Sequence, residues 1–149
     1  MSRYPENRYG YRGYVTSRPF MGERAPQHIQ NLVIRDYAAR NDMDYLLSAT
    51  EYAMKGSQIM LDQVLADMEN LQGVIFYSIF QLPICADRRR VVYRKTIDAG
   101  CELHGAVEGL AVRNDHDAAH IEDIWRVCQA LAYCPDAAEI RQLSSSYNV

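Results

Sequence analysis

The segment "GVIFYSIF", Gly73 to Phe80, is a nearly unbroken apolar run near the middle of the 149-residue chain. A strand that is apolar on both faces is typical of a central position in a parallel sheet that helices cover on both sides. The run is far too short for a membrane-spanning helix, which needs roughly 20 apolar residues. The segment therefore predicts an inner strand of an α/β domain.

The residues on either side of this strand alternate between strand-like and helix-like patterns. In the helix-like segments, apolar residues recur at three- and four-residue intervals. Strands are predicted within 13–17, 45–49, 73–80 and 101–110, and helices from 26 and over 57–71, 86–100 and 118–135. This alternation predicts a three-layer α/β sandwich with a mainly parallel sheet of four to five strands. Right-handed crossovers favour the flavodoxin-like strand order 2-1-3-4.

The regular patterns fit a single domain, residues 12–135, and a chain of this length is enough for one core. Residues 1–11 contain three tyrosines and two arginines without a helical or strand period. They predict a flexible arm or, alternatively, an arm that docks on a neighbouring subunit through its tyrosines. Residues 136–149 are predicted to be a weakly ordered tail.

Composition argues for a cytoplasmic globular protein. The net charge is −3 and the pI is near 5.8, whereas surfaces that wrap DNA usually raise the pI well above neutral. The N-terminal segment has no apolar stretch that resembles a signal peptide, and no segment is long enough to cross a membrane. The four cysteines lack the spacing of a zinc or redox motif, so reduced thiols are expected, with no metal and no cofactor.

The expected ligand site follows from the predicted sheet. In open α/β sheets, ligands bind beyond the carboxyl ends of the strands, at the point where the strand order reverses. Strands one and three flank that point in the order 2-1-3-4. The residues expected there are Ser17, Arg18, Thr50, Glu51, Tyr52, Tyr77, Ser78, Gln81, Val107 and Glu108.

Roles can be assigned to these residues from their chemistry. Glu51 and Glu108 are candidate catalytic acid and base groups, and the hydroxyls of Ser17 and Tyr77 are further catalytic candidates. The substrate-binding candidates are Arg18, Arg24, Tyr52, Ser78 and Gln81.

The two arginines suit an anionic ligand, because a guanidinium group can bind two oxygens of a phosphate or carboxylate at once. The helix predicted to begin near Pro26 would add the positive end of its dipole. The alternative is that Arg18 and Arg24 form structural ion pairs with Glu51 and Glu23.

Other charged and polar groups have plainer interpretations. The basic triplet Arg88 to Arg90 is predicted to be a solvated helix face. His116 and His120 are assigned to a solvated helix start, and His104 to a hydrogen-bonded position inside the fourth strand.

Between Arg12 and Leu110, the chain resembles the catalytic domain of serine recombinases, the resolvase and invertase family. The resemblance rests on "GYVTSRPF", "MLDQVLADMENLQGVIFYSIFQLP" and "YRKTIDAGCELHGAVEGL". It implies a resolvase-like fold but not the family's chemistry, because Thr16 stands at the position of an arginine and Ser17 is one residue early for the nucleophile. Phe80 and Gln81 replace the family's aspartate and arginine after strand three. DNA strand exchange is therefore not expected.

A second resemblance, between Gly13 and Pro135, is to a small bacterial family found sporadically in gene clusters for surface carbohydrates. It rests on "SRPFMGERAPQHIQNLVIRDY", "YLLSATEYAM", "GVIFYSIFQLP" and "AVEGL". This resemblance implies a role in surface carbohydrate or glycoconjugate biosynthesis. It is consistent with an anionic carbohydrate as the binding partner, such as a sugar phosphate, a nucleotide sugar or an acidic sugar.

Three functions follow as hypotheses. The first is an enzyme that acts on an anionic sugar intermediate at the strand ends. The second is a non-catalytic module that forms a homo-oligomer or docks on a partner through the last helix, at Ile121, Ile124, Trp125 and Cys128. The third is glycosyl transfer like that of nucleoside deoxyribosyltransferases, which use a glutamate nucleophile on a similar sheet.

Overall fold

A computed structural model describes residues 8–20, 24–52, 58–131 and 136–146. The strands are β1 (Tyr11–Thr16), β2 (Tyr45–Glu51), β3 (Gly73–Phe76), β4 (Glu102–Gly105) and β5 (Leu110–Val112). The helices are α1 (Gln27–Arg40), α2 (Ile59–Ala66), α3 (Ala86–Asp98), α4 (Asp115–Leu131) and α5 (Ala137–Ser146). None of the helices within these ranges is both long enough and apolar enough to cross a membrane.

The five strands form one sheet in the order β2-β1-β3-β4-β5. β1 pairs in parallel with β2 and β3, and β3 pairs in parallel with β4. The predicted strand order and the mainly parallel α/β fold are confirmed. β5 runs antiparallel to β4 and was not separated from it by the sequence pattern. A turn at 106–109 reverses the chain between them, with Gly109 in the left-handed region at φ 65°.

Helices cover both faces of the sheet. On one face, Val15 and Ile75 pack with Ile34 and Tyr37 of α1. On the other face, the strands pack against α2, α3 and α4, as shown by a second core cluster that contains Tyr14, Val74, Phe76, Leu61, Val92 and Trp125. All four residues of β3 are buried, as expected for an inner strand that alternates between two helical layers.

β3 ends four residues before the apolar run does. Ser78 forms a capping box at the short 3₁₀ helix Ile79–Gln81: its Oγ accepts a hydrogen bond from the Phe80 N–H, at 3.1 Å. The Gln81 side chain in turn accepts from the Ser78 N–H, at 3.4 Å. The run stays apolar beyond the strand because Ile79 is fully buried in the core. Apolarity alone therefore predicted too long a strand.

The described parts of the predicted N-terminal arm and C-terminal tail have more defined structure than the sequence suggested. Arg8 donates hydrogen bonds to the Leu71 carbonyl and to Cys101 Sγ, both at 3.2 Å, and the Tyr9 N–H donates to the Asn70 carbonyl at 2.9 Å. Residues 1–7 of the predicted arm lie outside the described residues. In the predicted tail, 137–146 form the exposed helix α5, and 147–149 lie outside the described residues.

The start of α5 explains why the tail is helical. Asp136 and Glu139 form reciprocal hydrogen bonds, in which each backbone N–H donates to the other residue's carboxylate at 2.8–2.9 Å. This is the arrangement of a capping box, which satisfies N–H groups that have no partner within the helix. The sequence pattern had predicted only a weakly ordered tail at these residues.

Gly73 is required by the close spacing of β3 and its neighbours. A Cβ atom at this position would overlap the Glu102 carbonyl oxygen and lie 2.9 Å from Cε1 of Tyr11. Gly73→Ala is therefore expected to lower the free energy of unfolding by about 2 kcal/mol, because backbone in a sheet cannot yield as a side chain can. Urea unfolding would measure the change. Gln72→Ala is the control, with an expected change within about 0.5 kcal/mol, and an equal loss in both variants would contradict the steric explanation.

Candidate functional site

A pocket of about 490 Å³ lies at the carboxyl end of β1, beside the turn that follows β3. It is lined by residues from that strand end, from the 3₁₀ turn and the segment leading into α3, and from the side of α4. The volume is in the range of sites for small organic ligands. The pocket lies close to the point where the strand order reverses, between β1 and β3.

Two arginines line this pocket, Arg18 from the loop after β1 and Arg88 from the first turn of α3. Among the lining residues that the structure describes, none is an aspartate or a glutamate. Arg18 Nε donates to Thr16 Oγ1 at 3.4 Å, and the Arg18 N–H donates to the same oxygen at 3.1 Å. Arg88 is half exposed, and its guanidinium lies 3.9 Å from the carboxylate of Asp62. The charged lining is thus cationic and favours an anion.

The N-terminus of α3 adds to this character. Its N-cap residue, Cys85, makes no side-chain cap hydrogen bond, and both Cys85 and Arg88 line the pocket. The first-turn N–H groups of a helix have no partner within the helix and carry a positive partial charge. The sequence placed this contribution at the start of α1, where Arg24 is exposed and does not line the pocket.

A chain of buried amides connects the pocket to α1. Gln81 Nε2, at the pocket, donates to Gln30 Oε1 at 2.7 Å. Gln30 on α1 donates to the Thr16 carbonyl at 2.8 Å, and its Oε1 accepts from the Thr16 N–H at 3.2 Å. Gln30 is fully buried, and Thr16 and Gln81 are nearly so. These bonds fix the end of β1 relative to the turn after β3.

Glu51, a predicted catalytic residue, is a structural acceptor outside the pocket lining. Its Oε2 accepts hydrogen bonds from the N–H groups of Met60 and Leu61 and from the Tyr14 hydroxyl, each at 3.1 Å. It therefore caps α2 and is 1% exposed. Burial, followed by the negative charge of Glu51, raises the pKa of Tyr14 far above its ordinary value, so this hydroxyl stays a donor.

Glu108 has a similar role at the turn after β3. Its two carboxylate oxygens accept from the Ser78 hydroxyl at 2.6 Å and from the Ile79 N–H at 3.0 Å. Ser17 donates its hydroxyl to the Glu51 carbonyl at 3.2 Å. The Tyr77 ring meets the edge of Phe20, with ring centroids 5.9 Å apart.

The structure thus brings together only part of the predicted site. Arg18 and Gln81 line the pocket, whereas the other predicted residues do not: Ser17, Arg24, Thr50, Glu51, Tyr52, Tyr77, Ser78, Val107 and Glu108. Glu51 and Glu108 serve two separate helical turns and do not form a pair at one site.

Many lining residues were not assigned to the site from the sequence. Those on helices or at their ends include Gln58 at the N-cap of α2, Arg88 on α3, and Trp125 and Gln129 on α4. Others are Thr16, Pro19 and Phe20 at and after the end of β1, and residues 82–85 in the segment before α3. Phe80, noted only as a replacement for a recombinase residue, contacts Trp125 with ring centroids 5.3 Å apart. The single tryptophan of the chain was the available signal, although it was interpreted as part of a docking surface.

Arg89 corrects the interpretation of the basic triplet as a solvated face. It is 1% exposed, and its Nε and Nη2 donate to the two carboxylate oxygens of Glu122 on α4, at 2.7 and 3.0 Å. Its Nη1 donates to the carbonyls of Pro83 and Ile84, at 3.0 and 2.7 Å. The guanidinium also lies 4.2 Å from the centroid of the Trp125 ring. One side chain thus holds a wall of the pocket and its tryptophan together.

The histidines lie away from the pocket. His104 is buried in β4, where its Nδ1 is 2.7 Å from the Tyr37 hydroxyl and its Nε2 is 2.8 Å from Glu102 Oε2, as the assignment to a hydrogen-bonded inner position predicted. His116 and His120 are exposed on α4. Within the described ranges, no three His, Cys, Asp or Glu side chains are grouped so that they could hold a metal ion.

Solved structures of two other proteins have a similar fold. The chain is similar to a resolvase family site-specific recombinase from Streptococcus pneumoniae, with a TM-score of 0.57 and 11% identity over 92% of this chain and 96% of that chain. It is also similar to the N-terminal catalytic domain of TP901-1 integrase, with a TM-score of 0.57 and 12% identity over 93% and 99% of the two chains. No family model and no curated protein matches the sequence.

These similarities confirm the resolvase-like fold. At identities this low, they do not transfer an activity. Two of the positions where the sequence departs from the recombinase pattern are Thr16 and Gln81. Both are hydrogen-bonded to Gln30, so they have structural roles in this fold.

Proposed function

We propose that this protein binds an anionic carbohydrate intermediate of surface carbohydrate or glycoconjugate biosynthesis, in the cytoplasm. The observation that carries the proposal is the joint placement of Arg18 and Arg88 in one pocket whose described lining has no carboxylate. The ligand classes that fit are sugar phosphates, nucleotide sugars and acidic sugars, because each offers oxygens with negative charge to guanidinium groups.

The proposal assigns positioning roles to the two glutamates. Both Glu51 and Glu108 accept several hydrogen bonds from buried or half-buried donors. A carboxylate in such a position orients the backbone around it and is poorly placed to exchange protons with a ligand in the pocket. The same geometry disfavours a deoxyribosyltransferase-like reaction, which needs a glutamate within the crevice.

The alternative of a docking module receives less support from α4. Ile121 and Trp125 are 1% and 2% exposed and pack in the core of their own domain, so they offer no surface to a partner. The large apolar residues that the helix exposes are Val127 and Leu131 instead. Formation of a homo-oligomer stays a prediction, to be tested by the mass in solution.

Binding can be followed through the intrinsic fluorescence of Trp125, the chain's only tryptophan, which lines the pocket. Titration with hexose 1-phosphates, nucleotide sugars and uronic acids is expected to change this fluorescence. Arg18→Ala and Arg88→Ala are each expected to weaken binding by about 10- to 100-fold, as for loss of a hydrogen bond to a charged group.

Two control variants each remove one arginine charge at a position that does not line the pocket. Arg24→Ala removes an exposed arginine near the pocket loop, and Arg90→Ala removes one two residues from Arg88 on the same helix. Both are expected to bind as the parent does, within about twofold. If all four variants weaken binding equally, general charge attraction and not this pocket explains it. If no anion in the panel binds the parent protein, the proposed function is wrong.

A further inference from the structure

Two residues of the pocket have buried polar atoms without a hydrogen-bond partner. Within the described part of the chain, such atoms occur at three side chains: Arg12 Nε, Gln58 Oε1 and Trp125 Nε1. Gln58 and Trp125 both line the pocket. Buried polar atoms in folded proteins nearly always have partners, because the water they lose must be replaced. The coincidence of two such atoms at one pocket therefore requires an explanation.

The two atoms have complementary chemistry. The indole Nε1–H of Trp125 can only donate a hydrogen bond, and the amide oxygen of Gln58 can only accept one. A carboxylate or a fully ionised phosphate monoester could accept from the indole but has no proton to donate to the amide oxygen. A hydroxyl group does both. If the amide of Gln58 were turned so that its nitrogen replaced the oxygen, a hydroxyl would still serve, because it also accepts.

Two side chains hold the Trp125 ring in place. One face of the indole is covered by the Arg89 guanidinium, at 4.2 Å, and Phe80 packs against it edge-on. This packing holds the indole in place and leaves Trp125 2% exposed. Because both unpartnered atoms are closed off from solvent, contact with a ligand requires the lining side chains to move on binding.

We propose that Trp125 and Gln58 are specificity-determining residues that select a hydroxylated ring, while Arg18 and Arg88 hold its anionic group. This inference rests on the proposed function, since it concerns the same pocket. It narrows the ligand to a polyhydroxylated ring with an attached phosphate or carboxylate, as in a hexose 1-phosphate, and disfavours simple anions.

The experiment compares ligands that share the anion and the six-membered ring but differ in hydroxyl groups. Isothermal titration calorimetry would measure the binding of glucose, galactose, mannose and N-acetylglucosamine 1-phosphates against cyclohexyl phosphate and inorganic phosphate. The parent protein is expected to bind the tightest hexose 1-phosphate at least about tenfold better than cyclohexyl phosphate, since a site built for hydroxyls rejects an analogue without them.

Variants then test whether the preference for the hexose phosphate depends on Trp125 Nε1 and Gln58 Oε1. Trp125→Phe keeps a ring without the N–H, and Gln58→Met keeps the length without the amide. Each is expected to reduce the ratio of hexose phosphate affinity to cyclohexyl phosphate affinity severalfold, whatever the change in overall affinity. Arg12→Met removes the third unpartnered atom, which lies outside the pocket, and is expected to leave the preference unchanged.

The outcomes separate this inference from the proposed function. If all the phosphates bind and require Arg18, but cyclohexyl phosphate binds as well as every hexose phosphate, the inference is overturned and the anion site stands. The inference is also overturned if the preference survives in both Trp125→Phe and Gln58→Met. If no phosphate binds the parent protein, both the inference and the proposed function fail.

Discussion

Replacing Glu122 with alanine is expected to lower the free energy of unfolding by about 3–5 kcal/mol, the range for loss of one partner of a buried ion pair. The side chains of Arg89 and Glu122 are 2% and 11% exposed, and the variant leaves the arginine charge buried with two carbonyls as its described acceptors. The Tyr93 hydroxyl, which donates to Glu122 at 2.8 Å, loses its acceptor as well. Urea unfolding monitored by circular dichroism would measure the loss.

Asp123→Ala provides the control on the same helix. Asp123 pairs with Arg126 at 3.1 Å, but both side chains are largely exposed, so its removal is expected to change stability by less than about 1 kcal/mol. A loss at Glu122 no greater than that at Asp123 would show that the buried network does not stabilise the fold.

The pH dependence of the same pair has a definite sign. Burial alone would raise the pKa of Glu122, but hydrogen bonds from Arg89 and Tyr93, together with the positive charges of Arg89 and Arg90, hold the pKa below its ordinary value of 4.5. A carboxylate with a lowered pKa in the folded state contributes stability that is fully present above the ordinary value. This contribution is lost as the pH falls through the lowered pKa. The stability difference between the parent and Glu122→Ala is therefore expected to shrink on acidification.

Replacing Glu51 with alanine is expected to cost about 3 kcal/mol of unfolding free energy, because it removes the charged acceptor of three donors. Two of these donors are N–H groups at the start of α2, and the third is the Tyr14 hydroxyl. The loss is expected in the protein without ligand. Thermal or urea unfolding would measure it.

Glu69→Ala is the matched control, because Glu69 is exposed and is expected to contribute less than about 0.5 kcal/mol. The contrast also tests the role of Glu51. If Glu51→Ala keeps the stability of the parent protein but loses its activity, the result would support the catalytic role predicted from the sequence.

The fold could be predicted because its signals are local and strong. The apolar run at Gly73 identified the inner strand, and the alternation of patterns around it gave the strand order. β5 was missed because it has only three residues and follows β4 after a short turn, so the two strands read as one segment. Similarly, the strand that begins at Gly73 was predicted to be too long. Ile79 is apolar because its side chain packs in the core, although its backbone is not part of the strand.

The site could be predicted only where it belongs to strand ends. Arg18 and Gln81 follow from the rule for parallel sheets, but helix α3 shows why the rest do not. Successive residues of a helix point about 100° apart, which follows from 3.6 residues per turn. Accordingly, Arg88 lines the pocket, Arg89 is buried against α4, and Arg90 is exposed beside Asp87. The three consecutive arginines thus lie in three different environments, which are determined by tertiary packing and cannot be told apart from the sequence alone.

The Arg89 network has a consequence for any attempt to engineer the pocket. This side chain joins the carbonyls of Pro83 and Ile84, the carboxylate of Glu122 and the ring of Trp125 in one unit. A library that varies Trp125 alone would change the packing of the arginine and, through it, the backbone at Pro83 and Ile84. Altered ligand preference is therefore best sought by varying these positions together, with stability selected before binding.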